Sequence, residues 1–319
     1  MKKLLVIILV VALALSMVAC GDNKTNTGGT NTNTQTNTNT NTETEKKPET
    51  NTNTGTETNT GANAVETAAL NYFVDFSNNH MISWDDVLAM VDAGDEPFVL
   101  SIRQADDYNT EHLKGAYLAS FGKDLAEKVS KLPKDKKVYV YCYTGQTSNQ
   151  AVAVMNMLGI DAYSVNGGVN NGLKKLEGYE KYLESTPNEL PDAGASFDAE
   201  LLAFAQEYFN KIATDGSNIM PVEDIKALVD AGDALVVDVR KADDYNNGHV
   251  EGAINIPYGQ GMQEKFGDIP KDKKIIVACY TGQTAGQATT VLRALGYDAV
   301  SMQGGMRNGW EAKDLPVVK

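Results

Sequence analysis

Two of the three cysteines in this 319-residue chain sit in the same six-residue string. CYTGQT runs over residues 142–147 and again over 279–284. Each copy follows an apolar run, Val138-Tyr139-Val140-Tyr141 or Ile275-Ile276-Val277-Ala278, and precedes a segment that reads as a helix. Gly145 and Gly282 permit backbone conformations that other residues avoid. Successive N–H groups can then turn inward as a cradle. The helix start adds its unsatisfied N–H groups and the positive end of its dipole. A cysteine sulfur held over that field is favoured as the thiolate, the nucleophilic form. The hydroxyls of Thr147 and Thr284, and Ser148 in the first copy, are placed to donate to it. The plainer reading of Cys142 and Cys279 is a small apolar residue ending a core strand. The glycine at the fourth place, the hydroxyl at the sixth and the repetition favour the chemical one.

These loops need a scaffold, and the scaffold is duplicated. Cys142 and Cys279 lie 137 positions apart. The same offset aligns Arg103 with Arg240, Asp107-Tyr108 with Asp244-Tyr245, His112 with His249, and Gly167-Gly168 with Gly304-Gly305. An offset kept without a gap over so long a span means duplication of a whole domain, and the period is far too long for a solenoid. The expected domains are 64–186 and 197–319, joined where Pro187, Pro191 and Gly194 cluster.

Within the second repeat, 197–213 is amphipathic, with Leu201, Phe204, Ala205, Tyr208 and Ile212 on one face. Pro221 suits the start of a helix that runs to Ala231. Strands are expected at 234–239, 252–257, 274–278 and 298–302, and helices at 262–266, 284–295 and 306–313. Short continuous apolar strands alternating with helices predict an α/β fold, a mainly parallel sheet with helices on both faces. Sites in such folds lie at the carboxyl ends of strands, where both cysteines stand.

The repeats resemble rhodanese domains, the sulfurtransferase family. The second matches in order and spacing: Val237-Asp238-Val239-Arg240, Asp244-Tyr245, residues 248–257 (GHVEGAINIP), CYTGQT, Gly304-Gly305 and Trp310. The resemblance implies an enzyme in which Cys279 takes a sulfane sulfur from a donor, such as thiosulfate or a persulfide. Cys279 then carries it as a persulfide to a thiol or cyanide acceptor. Cys142 is the second, slower candidate. Tyr280, Thr281, Gly282, Gln283 and Thr284, and Tyr143, Thr144, Gly145, Gln146 and Thr147, form the expected substrate-binding loops. Related cysteine phosphatases use a loop one residue longer that ends in arginine, and neither loop here has one. The loops also lack the basic residues that thiosulfate-specific members often carry. The first repeat departs further, with Ser101 for Asp238, Glu111 for Gly248, Ser120 for Pro257 and Leu173 for Trp310. Arg240 and Arg103 are expected to be structural, paired with Asp244 and Asp107 at i, i+4 spacing. His249 and His112 are expected to bond to backbone. No metal or other cofactor is expected. The rival reading is a non-catalytic lipoprotein that binds sulfane sulfur or anions, or docks a partner.

The two ends of the chain differ in kind. Lys2-Lys3 followed by an apolar run at 4–17 reads as an export signal, too short for a comfortable membrane span. Residues 17–21 (MVACG) resemble a bacterial lipobox, which makes 1–20 a lipoprotein signal peptide with lipobox and implies cleavage before Cys20 and a lipid on its sulfur. Residues 21–63 are almost all Thr, Asn, Gly and Glu, a composition that cannot bury apolar surface and predicts a disordered tether. The expected location is extracytoplasmic, anchored to the cell membrane. Pairing Cys142 with Cys279 would require two equivalent sites to face each other, so free thiols are expected. The net charge of −14 disfavours nucleic acid as a partner.

Overall fold

The computed structural model describes residues 63–74 and 76–319. The expected signal, Cys20 and the tether, save its last residue, lie outside the described residues. The first helix, α1 (Ala64–Asn71), is capped by that residue: the Asn63 side chain accepts from the Glu66 N–H at 2.8 Å.

The first repeat then runs β1 (Met81–Ile82), α2 (Trp84–Ala93), β2 (Phe98–Ser101), α3 (Ala105–Thr110), β3 (His112–Leu113), β4 (Tyr117–Leu118) and α4 (Lys123–Lys128). It continues through β5 (Val138–Tyr141), α5 (Gln146–Met157), β6 (Ala162–Val165) and β7 (Leu183–Glu184). The second repeat follows as α6 (Ala199–Asp215), β8 (Ile219–Met220), α7 (Val222–Ala231), β9 (Ala234–Asp238) and α8 (Ala242–Asn247). It ends with β10 (Ile254–Asn255), β11 (Lys274–Ala278), α9 (Gln283–Ala294) and β12 (Ala299–Met302).

Apolar runs buried along their length became the inner strands, as a sheet covered on both faces requires. The first sheet has the order β1-β6-β5-β2-β4 and the second β8-β12-β11-β9-β10, all neighbours parallel. The two orders are the same under the repeat offset. β5 and β11 are central, in register with β2 and β9 through Val140–Leu100 and Val277–Val237. A short antiparallel pair, β3 with β7, lies outside the main sheet.

The helix expected at 306–313 is instead a π-helical turn, Gly305–Trp310, followed by a 3₁₀ turn, Glu311–Lys313. Its first N–H groups bond back to the loop after β11, so the turn is set by that contact rather than by a regular ladder.

All described residues fall in one unit. Its two sheets exchange their leading helices. α1 opens the first repeat, but Val65 and Ala69 within it and Tyr72 and Phe73 just after it are buried with Val237, Ile275, Val277 and Ala288 of the second. The Phe73 carbonyl accepts from the Gly261 N–H at 3.0 Å, and its ring meets Tyr258 edge-on at 5.5 Å. Conversely, α6 buries Ala205, Tyr208 and Phe209 with Leu125, Val129 and Leu158 of the first repeat. Its apolar face is the predicted one. Each core is thus completed by a helix from the other half of the chain.

The repeats meet along α5 and α9 through a polar seam. Gln150, Thr290 and Asn149 are fully buried there. Tyr208 donates to Gln150 Oε1 at 2.8 Å, and the Gln287 side-chain amide donates to Asn149 Oδ1 at 2.5 Å.

Candidate active site

Cys142 and Cys279 stand at the carboxyl ends of β5 and β11, free thiols that are 1% and 2% exposed. Gly145 and Gly282 precede α5 and α9 with φ of +92° and +87°, the left-handed region their place in the loop requires. Each donates its N–H to the cysteine Sγ of its own loop at 3.1 Å.

The loop carbonyls are drawn the other way. Cys142 O accepts from Val169 N at 2.9 Å and Tyr143 O from Asn170 N at 2.8 Å. In the second repeat Cys279 O accepts from Met306 N at 2.8 Å and Tyr280 O from Arg307 N at 2.9 Å. With the carbonyls so fixed, the N–H groups of Thr144, Gln146 and Thr147 donate to no protein acceptor among the described residues, and nor do those of Thr281, Gln283 and Thr284. Such a ring of free donors at a helix start binds anions. The contact depends on Gly168 and Gly305. A Cβ on either would stand 2.5 Å from the cysteine carbonyl oxygen.

Several side chains stand elsewhere than expected. Neither Thr147 nor Thr284 bonds to sulfur among the described residues. Successive helical positions turn by about 100°, and it is Ser148 whose Oγ lies 3.5 Å from Cys142 Sγ. Ser148 also shares a 2.7 Å hydrogen bond with Ser164, and the second repeat has Ala285 at this place. The hydroxyls of Tyr143 and Tyr280 are committed to holding their loops. Tyr280 donates to Asp244 at 2.5 Å and accepts from Lys241 N at 3.3 Å. Tyr143 donates to Asp107 and accepts from Gln104 N at 3.0 Å.

Arg240 and Asp244 therefore do not form the expected pair, and nor do Arg103 and Asp107. The arginines lie before α8 and α3, where i, i+4 spacing has no meaning. Arg240 instead forks onto Asp238, with Nη2 to Oδ2 at 2.7 Å and Nε to both oxygens at 3.1 Å, and donates to Gly248 O at 2.7 Å. The Arg103 backbone N–H donates to Ser101 Oγ at 3.5 Å, its guanidinium donates to Glu111 O, and its Nε has no partner among the described residues. His112 and His249 bond to the Tyr108 and Tyr245 carbonyls through Nδ1 at 2.7 and 2.9 Å, as expected, and stack on the same tyrosine rings. Trp310 is buried core and donates to Pro316 O at 2.9 Å. Among the described residues no cluster of His, Cys, Asp and Glu could hold a metal.

Sequence reasoning missed a tyrosine pair beside the second loop. Tyr72, which follows α1, and Tyr258 both donate to Gln287 Oε1, at 2.6 and 2.5 Å. Burial holds both phenols well above their ordinary pKa, so they remain donors. Gln287 lies four residues after Gln283, a helical spacing that marks it as a neighbour of the loop. The two loops also open on one cleft of about 450 Å³, lined by Thr144 and Gly167 from one repeat and Thr281, Gln283 and Asn308 from the other.

The rhodanese-like domain model matches residues 83–175 and 221–313, more than half of the chain. The uncharacterized protein YibN of Escherichia coli is 31% identical over 94 residues, which cover 29% of this chain and 66% of YibN, just under two thirds of that relative. Thiosulfate sulfurtransferase GlpE of Shewanella oneidensis is 30% identical over 94 residues, 29% of this chain and 92% of its own length. A 3-mercaptopyruvate sulfotransferase structure from Escherichia coli covers 72% of this chain and 98% of its own, at 20% identity and a TM-score of 0.33. With two parallel sheets of the same strand order, each delivering one cysteine loop, and a family match over both repeats, the chain belongs to the rhodanese-like domain family as a tandem pair.

Proposed function

We propose that the protein is a sulfurtransferase that works through a cysteine persulfide. Cysteine thiolate attacks the outer sulfur of a donor. With thiosulfate, the S–S bond breaks with its electron pair leaving on sulfite, and the enzyme keeps Cys–S–S⁻. An acceptor thiolate or cyanide then attacks the terminal sulfur and releases the cysteine thiolate. No net oxidant is needed. The terminal persulfide sulfur carries negative charge, and donors fixed in advance stabilise such charge without reorganisation. The observation that carries this reading is each Sγ at 3.1 Å from a glycine N–H, within a loop where three further N–H groups have no protein acceptor among the described residues. The similarity to a thiosulfate sulfurtransferase, GlpE of Shewanella oneidensis, supports it.

Cys279 is the more active thiol in this proposal. Its repeat has the Asp238–Arg240 fork beside the site, whereas Arg103 has no carboxylate partner among the described residues. Treatment with thiosulfate should add one sulfur mass to the peptide bearing Cys279 faster than to that bearing Cys142, and cyanide should remove it. Absence of the added mass from both peptides, with thiosulfate and with a persulfide donor, would refute the proposal and leave the binding-module reading.

We further propose that Cys20 carries a lipid that anchors the protein outside the cytoplasm. The motif MVACG after an apolar run supports this. Cys20→Ser should move the protein from the membrane to the soluble fraction, and an unchanged membrane fraction would count against the anchor.

A further inference from the structure

Hydrogen bonds between the repeats run through the glutamines of CYTGQT, and they run crosswise. Gln146 belongs to the first loop and is 5% exposed. Its Oε1 accepts from Gly304 N at 3.0 Å and its Nε2 donates to Met302 O at 3.2 Å, both in the second repeat. Gly304 opens the turn whose Met306 N–H holds Cys279 O. Gln283 mirrors this. Its Oε1 accepts from Gly167 N at 2.9 Å, and Gly167 opens the turn whose Val169 N–H holds Cys142 O.

The glycines at the fourth loop position make room for the crossing. A Cβ on Gly282 would stand 2.1 Å from Gln146 Nε2, and one on Gly145 would stand 2.4 Å from Gln283 Oε1. The close approach is a second constraint on residues already held at positive φ.

We propose that each glutamine is a positioning residue for the other repeat's cysteine: Gln146 for Cys279 and Gln283 for Cys142. A loop that loses its clamp loosens the opposite Gly-Gly turn, and the cysteine carbonyl held by that turn is freed. The two clamps are unequal. Gln146 grips its target at both ends of the amide, whereas Gln283 spends its Nε2 on Thr281 Oγ1 of its own loop, at 3.2 Å. The stronger effect therefore falls on Cys279.

The test uses the full chain with Gln146→Met and Gln283→Met, which keep volume and remove the bonds. The rate of iodoacetamide labelling is read on each cysteine from its own peptide. This readout does not depend on sulfurtransferase activity, although the meaning of the clamp for turnover rests on that proposed function. In Gln146→Met, Cys279 should label about threefold faster or more, within the range of coupling between packed sites, while Cys142 stays within about twofold. Gln283→Met should give the reverse pattern with a smaller change. Gln146→Glu and Gln283→Glu keep the oxygen that accepts from glycine and should restore part of the wild-type rate. Persulfide loading from thiosulfate should slow at the same crosswise cysteine. If a Met variant loses its cooperative unfolding transition, the Ala variant is read in the same way. Equal effects on both cysteines, an effect confined to the glutamine's own loop, or no effect would overturn the assignment. A crosswise labelling pattern without any persulfide would keep the clamp and reject the sulfurtransferase reading instead.

Discussion

Asp238 and Ser101 occupy equivalent places at the ends of β9 and β2, and each lies two residues before a buried arginine. Asp238 is 1% and Arg240 5% exposed, and three hydrogen bonds fork between their side chains. Removing one partner of such a pair leaves an uncompensated charge in the interior. Asp238→Ser should therefore cost about 3–5 kcal/mol in denaturant unfolding. The equivalent position in the first repeat is Ser101. There the Arg103 guanidinium lies 5.7 Å from the Tyr141 ring and donates to the Glu111 carbonyl. Ser101→Ala should cost about 1 kcal/mol or less, since its hydroxyl accepts only a long 3.5 Å bond from the Arg103 backbone N–H rather than pairing with the guanidinium. Two parallel denaturation curves check the contrast. An equal loss for both substitutions would show that the fork contributes little beyond burial.

At the scale of elements, the strands and the two cysteine-bearing turns were legible because they depend on local pattern. Apolar runs of four or five residues gave β5 and β11 at their observed bounds, and Gly145 and Gly282 marked the turns. What the sequence hid is set by tertiary contact. The i, i+4 spacing of Arg240 and Asp244 looked like a helix pair, but the arginine lies before the helix and Asp244 serves Tyr280. The amphipathic face of α6 was plain from Leu201, Phe204 and Tyr208, whereas nothing local says which sheet it covers. Helix exchange follows only once both sheets exist. It has a measurable consequence. Phe73→Ala should cost about 3–5 kcal/mol, and the loss should appear as faster amide exchange at Met262–Asp268 of the second repeat, whose ring neighbour Phe266 it touches. Phe209→Ala should loosen α4 of the first repeat instead, because it is buried with Leu125 and Val129. Exchange that rises in the substituted helix's own repeat would contradict the crossed packing.

At the scale of the molecule, the duplication has produced two sites but not two independent bodies. Each sheet lacks a cover that the other half of the chain supplies, and the α5–α9 seam is closed by buried amides that would be costly to leave unpaired. Val65, Tyr72 and Phe73 each contribute roughly 1.5–3 kcal/mol by burial, and all three lie against the second repeat although they belong to the first. A chain cut in the connection between the repeats should therefore stay whole. Gly194 is a suitable place: its φ is +64°, its N–H bonds only to the neighbouring Asp192 side chain, and nothing lies within 4 Å of an added Cβ. With a protease site inserted after Gly194, the nicked protein should elute at the size of the intact one and unfold in one transition. Residues 195–319 expressed alone carry α6 without the core it covers and lack α1. That fragment should show no cooperative unfolding until residues 63–194 are added, and its Cys279 should be labelled by iodoacetamide as an exposed thiol would be. If instead it unfolds cooperatively alone with Cys279 still protected, the exchanged helices are an addition to each core and not a requirement of it.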